Sequence, residues 1–285
     1  MNTGSHIPFR KMNGLGNDFV ILDARIRALK IDTVSARAIA SRETGIGCDQ
    51  LIVLEKSPIA DVRMRIWNNE GGEVESCGNA TRCIADLLLD TDSAEKLSVD
   101  TTGGLLKCFR TGKDLISVDM GEPRVHWSQI PLAEEFHDTR AIELQIGPID
   151  APILHTPSVV NVGNPHCFFW VDDVNAYDLA RMGPLLENHP IFPERANISL
   201  AQVESRERVI LKVWERGAGL TRACGTAACA VVVAAARKGL CERKITVGLP
   251  GGDLELEWRE DDNHILMTGP VAYEFDGVLP PGLLE

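Results

Sequence analysis

No stretch of this 285-residue chain stays apolar for long. Its longest apolar run, Ala227 to Ala236, falls far short of the ~20 residues that a membrane-crossing helix needs. No membrane partner is expected. Positive charge is also short: 29 Lys and Arg against 41 Asp and Glu leave a formal net charge of −12. Phosphate backbones and anionic lipids repel such a chain, so nucleic acid is not an expected partner either. Missing too are a Walker A loop, HExxH and GxSxG, the strongest local signals of phosphate cradles, zinc proteases and serine hydrolases. Gly14-Leu15-Gly16 is a fragment of a dinucleotide loop, but it precedes strand-like residues instead of opening a helix. No CxxC pair and no Cys/His cluster with zinc-finger spacing occurs, so no metal is expected. No lysine stands in a recognisable pyridoxal-phosphate context, so no cofactor is expected. The segment MNTGSHIPFR contains no apolar run of the kind a secretory signal needs. The expected compartment is therefore cytoplasmic, with the eight cysteines present as thiols.

The remaining composition is that of an ordinary globular protein, 44% hydrophobic and 25% charged. Length alone suggests two domains, and internal repetition says the same. WNNEGGEVESCGNATRC from Trp67 is echoed by WERGAGLTRACGTAAC from Trp214, 147 residues later. The same offset places Gly16-Asn17 on Gly163-Asn164, Gln50 on Asn197, Asn68 on Glu215 and Cys77 on Cys224. It also places Met120 on Met267 and Pro123 on Pro270. One offset held across so much sequence identifies two copies of one unit.

Each copy has the same punctuation. A Gly-Asn turn leads into a strand, Phe19–Leu22 or Cys167–Trp170. A helical segment follows, then a strand near Leu51–Leu54 or Ile198–Leu200. A strand ending at the tryptophan, a Gly-rich loop and a Cys-Gly helix start come next, and short β segments with glycine turns finish the unit. The helix from Gly225 to Ala236 is small and apolar on every side, which requires it to be surrounded. These features predict an α+β fold in which strands outnumber helices and a sheet wraps a central helix once per domain. The expected domains are residues 1–124 and 125–270, with a linker around Pro123 to Pro131.

Both Cys-Gly motifs place a thiol at a helix N-terminus. The free N–H groups and dipole there favour an anion, lower a thiol's pKa and can hold a carboxylate. A tandem duplication commonly packs its copies about a pseudo-two-fold axis, so that Cys77 and Cys224 would face one carbon across an interdomain cleft. One thiolate would remove a proton from one face while the opposite thiol delivers a proton to the other, inverting the centre. Cys108, Cys167, Cys241, Cys83 and Cys229 read as small core residues, as do Trp67 and Trp214.

GLGNDF at Gly14, GIGCDQ at Gly45, SCGNATRC at Ser76, GNPH at Gly163, Asn197 and WERGAG…ACGTAACA from Trp214 together resemble the signatures of the diaminopimelate epimerase family. The resemblance runs from about residue 10 to 270. It implies two pseudo-symmetric homologous domains, each a barrel-like mixed or antiparallel sheet around a central helix. It also implies a homodimer, and a segment 271–285 that returns to the first domain. The implied activity is cofactor-independent epimerisation of LL- and meso-diaminopimelate, with Cys77 and Cys224 as acid/base pair. Gly78, Asn79, Gly225 and Thr226 are then helix-start donors to the reacting carboxylate. Asn17, Gln50, Asn68, Asn164, Asn197, Glu215 and Arg216 are implied to line the substrate site. Amides read both ammonium and carboxylate groups, Arg216 offers a fork for the distal carboxylate, and Glu215 accepts from an ammonium. His166 is implied as an auxiliary that tunes a thiol or meets the ammonium.

The chain departs from the common family pattern at Ala80 and Ala227, which replace glycines, and at Leu220 and Asn13. Alternatives that share the two thiols are a proline or hydroxyproline racemase and a phenazine-type isomerase. A thiol redox or binding protein is the alternative of a different class.

Overall fold

The 147-residue offset is written into strand register. In the computed structural model, which describes residues 6–75, 77–92 and 95–284, Phe19 pairs in parallel with Gln50, and His166 pairs in parallel with Asn197. Leu51 lies opposite Trp67, and Ile198 opposite Trp214. Val62 pairs with Val99, and Val209 with Val247, where a one-residue insertion has raised the offset to 148. The two copies therefore use equivalent residues for equivalent hydrogen bonds. The chain divides into two compact units, residues 1–118 with 269–285, and residues 119–268.

In the first unit the elements run β1 (Pro8–Gly14), β2 (Asn17–Asp23), α1 (Thr33–Ala40), β3 (Gln50–Glu55), β4 (Val62–Asn68), β5 (Glu73–Val74) and α2 (Gly78–Asp92). They continue with β6 (Lys96–Thr101), β7 (Gly104–Gly112) and β8 (Leu115–Asp119). Leu15 and Gly16, both at positive φ, close the two-residue β1–β2 hairpin, and the Asn13 side chain caps it by accepting from Gly16 N–H at 2.9 Å. Gly14 is needed for a close approach: a Cβ there would stand 3.0 Å from the Asn79 carbonyl oxygen and 3.4 Å from Cys83 Sγ. The hairpin is thereby pressed onto the start of α2. Asp32 and Ser35 cap α1 reciprocally. The GIGCDQ loop then folds back over the end of α1 through Ile46 and Gly47 N–H to Ile39 and Cys48 N–H to Ala40. Gly45 lies against the Ala38 carbonyl, where any side chain would collide. Helix α2 packs on β1, β6 and β7, with Ala80, Cys83, Ile84 and Ala85 buried.

The second unit repeats the plan after two short strands, β9 (Gln145–Ile146) and β10 (Leu154–His155). Its elements are β11 (Ser158–Asn161), β12 (Pro165–Trp170), α3 (Leu179–Glu187), β13 (Asn197–Ser205), β14 (Arg208–Glu215), β15 (Gly219–Thr221) and α4 (Gly225–Arg237). They end with β16 (Lys244–Leu249), β17 (Gly252–Trp258) and β18 (Ile265–Pro270). Helix α4 contacts β11, β12, β13, β16 and β17, and Ala227 through Ala235 are all buried, which is why it carries no polar face. The segment read from sequence as a linker lies against this unit: Ile130 is fully buried in its core and Arg124 bridges Asn161. The final strand, β19 (Ala272–Val278), pairs antiparallel with β1 in the first unit. Sheet dominates throughout, with one buried Cys-Gly helix per unit. Among the described residues no helix is long and apolar enough to cross a membrane.

Candidate active site

The first half-site gathers where β2, the GIGCDQ loop and α2 begin. Cys77 stands at the helix cap: its carbonyl accepts from Thr81 N–H at 2.9 Å, and Gly78 opens the helix. Asn79 Nδ2 donates to Asn17 Oδ1 at 2.7 Å, and Asn79 Oδ1 accepts from the fully buried Arg82 at 2.9 Å. Asn17 Nδ2 in turn donates to Asp49 Oδ2 at 3.2 Å. Asp49 is held by Arg42, which also grips Asp18, and Lys11 reaches Asp18 at 2.6 Å and the Gly47 carbonyl. The Arg42 and Lys11 cations hold the Asp18 carboxyl far below its ordinary range, against the opposing effect of burial. Gln50 Oε1 is buried without a hydrogen-bond partner among the described residues, which leaves it available to a ligand. Asn68 Oδ1 instead accepts from Glu70 N–H and Gly72 N–H, so its oxygen shapes the turn before Cys77.

The second half-site is built at equivalent positions. Cys224 caps α4 in extended conformation, Gly225 follows it, and Cys224 Sγ lies 3.5 Å from Thr226 Oγ1. Asn164 Nδ2 donates to Thr226 Oγ1 at 3.4 Å, and Asn164 Oδ1 lies 2.9 Å from His166 Nε2. The Glu215 carboxylate accepts from Thr221 Oγ1 and meets the Cys224 thiol. Both polar atoms of Asn197 bond to backbone: Oδ1 accepts from Arg216 N–H at 3.0 Å, and Nδ2 donates to the Pro165 carbonyl at 3.0 Å. Asn197 therefore ties β12 to β14 in this structure. The Arg216 guanidinium donates to the Glu194 carbonyl at 2.9 Å.

The expectation that a helix start lowers the thiol pKa is corrected at Cys224. Thr226 Oγ1, 3.5 Å from the sulfur, and the nearby Ala227 N–H favour thiolate. Complete burial, followed by the Glu215 charge, outweighs them and pushes the thiol well above its ordinary value. Glu215 is itself raised, chiefly by burial. Burial and the nearby Arg216 push His166 down to about 3, so it is a neutral imidazole across physiological pH. Its Nδ1 is buried with no partner among the described residues.

Sequence reasoning passed over Asp49, Asp18, Arg42 and Glu187. Glu187 ends α3 and is buried; it accepts from Trp214 Nε1 at 2.7 Å and Gly217 N–H at 3.0 Å, and pairs with Arg195. That carboxylate holds the WERGAG turn. The local signal was weak: an acidic residue at a helix end reads as solvated surface. One group of metal-type donors occurs among the described residues, Asp119, Asp262 and His264. Arg259 Nη2 already bonds both carboxylates there, at 2.9 and 2.6 Å, and supplies the positive charge.

Comparison with known proteins extends this picture. The sequence pattern described as diaminopimelate epimerase matches residues 9–126 and 158–274. A diaminopimelate epimerase of Rhodopseudomonas palustris (strain BisB18) is 55% identical over 285 residues, covering 99% of this chain and 98% of the relative. One from Nitrobacter hamburgensis is 52% identical over 286 residues, covering 99% and 98%. Among solved structures, a hydroxyproline epimerase from Agrobacterium vitis superposes with a TM-score of 0.69 at 14% identity, covering 98% of this chain and 94% of its own. A phenazine biosynthesis protein of the PhzF family from Bacillus anthracis gives 0.67 at 14% identity, covering 97% and 99%. These last two share the fold. With relatives alike over nearly their whole length and the family pattern matching both copies of the repeat, this chain belongs to the diaminopimelate epimerase family.

Proposed function

We propose that this chain is an isomerase that interconverts LL- and meso-2,6-diaminopimelate, a step in making lysine and a peptidoglycan precursor. Cys77 and Cys224 act as base and acid on opposite faces of one α-carbon. The observation that carries this reading is the pair itself. A cysteine precedes equivalent helices in two copies of one fold, and each helix opens on a glycine whose N–H has no acceptor within its own helix. The 55% identity to a relative named diaminopimelate epimerase supports the substrate.

Burial and Glu215 favour the protonated form of Cys224, which suits it to the acid role in the unliganded protein, with Cys77 as the base. In the reverse reaction the roles exchange. The carbanion needs an electron sink. The N–H groups at the starts of α2 and α4 stabilise charge growing on the substrate carboxylate, and exclusion of water strengthens that effect. No cofactor or metal is called for in this scheme. Asn17, Gln50, Asn68, Asn164, Asn197, Glu215 and Arg216 read the ammonium and carboxylate groups, Gly78, Asn79, Gly225 and Thr226 supply donors, and His166 is auxiliary.

We also propose a cytoplasmic homodimer. Strand β19 presents Tyr273, Phe275 and Val278 to solvent along an exposed strand, a surface suited to a second copy. The activity is tested by incubating the chain with LL-diaminopimelate and following the meso isomer, with proline and 4-hydroxyproline as controls. Turnover of diaminopimelate alone supports the reading, and turnover of a ring substrate alone overturns it.

A further inference from the structure

The two copies share one contact that has the same place in the fold and the opposite polarity. In the first, the amide at the start of β2 accepts from the second residue of α2: Asn79 Nδ2 donates to Asn17 Oδ1 at 2.7 Å. In the second, the amide just before β12 donates to the second residue of α4: Asn164 Nδ2 gives its proton to Thr226 Oγ1 at 3.4 Å. Both pairs are 62 residues apart, and the pairs themselves are 147 residues apart.

What lies behind each asparagine explains the reversal. Behind Asn17 stands Asp49, a carboxylate that can only accept. It bonds Asn17 Nδ2 at 3.2 Å and Asp18 N–H at 3.2 Å, and Arg42 holds its other oxygen at 2.7 Å. The Asn17 amide is thus turned with its oxygen toward Asn79. The equivalent of Asp49 in the second copy is Ala196, which offers nothing. His166 takes its place from a different position, since its own equivalent is Phe19. Its Nε2 lies 2.9 Å from Asn164 Oδ1, an atom that only accepts, so Nε2 carries the imidazole proton. The ring is fully buried and stacked on Phe168, centroids 6.0 Å apart, which fixes its plane. The Asn164 amide is turned with its nitrogen toward Thr226.

The consequence reaches the second thiol. Once Thr226 Oγ1 accepts from Asn164, its own proton is free to point at Cys224 Sγ, 3.5 Å away. Asn79 is held differently: one Nδ2 proton serves Asn17 and its oxygen accepts from Arg82, so no hydroxyl there mirrors that of Thr226.

We propose that Asp49 and His166 are positioning residues for the reaction, an acceptor and a donor that act through Asn17 and Asn164 to set opposite orientations of the duplicated strand-to-helix contact. This rests on reading the starts of α2 and α4 as the reacting site. Neither residue touches substrate in this scheme; each orients an amide that does.

The test is a pair of substitution cycles in the full-length enzyme, with kcat and KM measured separately. In Asp49→Asn the new amide can donate to Asn17, freeing that amide to turn over. The expected result is a roughly tenfold fall in kcat with KM little changed. Adding Asn17→Asp restores a pattern in which residue 17 only accepts, from Asn79 and from the new amide at 49. The double variant is expected to exceed Asn17→Asp alone. In the second copy, His166→Phe keeps the ring and removes the N–H. Its loss is expected to be shared with Thr226→Val, so that the double variant is no worse than the weaker single one. Undiminished kcat in Asp49→Asn, or losses that simply multiply in either cycle, would overturn the proposal.

A wild-type chain that fails to turn over diaminopimelate overturns the functional reading instead. Side-chain amide NMR then decides the orientation without turnover: slow exchange of the Asn79 amide protons, lost in Asp49→Asn, supports it. Exchange that is identical in the two proteins overturns it.

Discussion

The Glu215 carboxylate acts on the Cys224 thiol where β14 meets the start of α4, and its charge raises the thiol's pKa beyond what burial alone does. Cys224 therefore stays protonated through neutral pH, and its ability to give a proton is lost only as pH rises through its elevated pKa. Glu215→Gln removes the like charge and lowers that pKa. The alkaline limb of the kcat/KM profile is expected to move to lower pH. An unmoved limb, or one displaced upward, would show that Glu215 does not govern the thiol.

Alanine at either thiol is expected to abolish epimerisation. In the proposed two-thiol scheme each sulfur serves one face, so neither covers for the other, and general acid–base groups typically contribute ~10²–10⁴-fold. The fold is expected to survive the change, because each cysteine holds its helix start through its backbone carbonyl, which accepts from Thr81 or Ala228 N–H. Circular dichroism and melting should match the parent for Cys77→Ala and Cys224→Ala. A single variant with most of its activity intact would refute the assignment.

Asp18 carries the ionic frame under the first half-site, accepting from Lys11 and Arg42. The Lys11 side chain is 5% exposed, so it depends on that carboxylate. Asp18→Asn is expected to cost about 3 kcal/mol in chemical denaturation, the scale of breaking a buried pair from one side. The depressed folded-state pKa sets the sign of the pH effect. The stabilisation is present above the ordinary carboxylate pKa and is lost as pH falls below it toward the folded value. The parent should lose this stability in strong acid, and Asp18→Asn should show a flatter acid profile.

Gly14→Ala addresses coupling between packing and chemistry. The added methyl would sit 3.0 Å from the Asn79 carbonyl, displacing the start of α2 while the rest of the helix stays packed. Overpacking of this kind costs about 1–3 kcal/mol. The fall in kcat should be larger than that stability loss suggests, on the order of tenfold or more, because misplacing a reacting group is severe. Parallel measurement of melting temperature and kcat checks the comparison.

Much of this was legible in the residues. The repeat offset anticipated equivalent elements in the two copies, and in the structure Leu51 pairs with Trp67 as Ile198 does with Trp214. The apolar surface of Gly225 to Ala236 announced a helix enclosed by sheet. What sequence could not show was the balance of opposing effects at one atom. At Cys224 a helix start favours thiolate while burial and Glu215 oppose it, and only the fold reveals that the latter prevail. The roles of Asp49 and Glu187 were hidden for a related reason. A carboxylate looks solvated until the chain brings it beneath an amide or an indole N–H. Asn197 read as a substrate contact by its pairing with Gln50; that its amide also holds two backbone groups was not visible in the sequence.

The most direct measurement is the fate of the α-hydrogen in heavy water. A thiol holds one proton, so with Cys77 and Cys224 on opposite faces the proton removed by one is never delivered by the other. Product formed at low conversion from LL-diaminopimelate in nearly pure deuterium oxide should carry deuterium at the inverted carbon, while recovered substrate retains hydrogen. Mass spectrometry of both isomers reads this out. Substantial unlabelled product would mean that one group returned the original proton to the opposite face, and would contradict the two-thiol account.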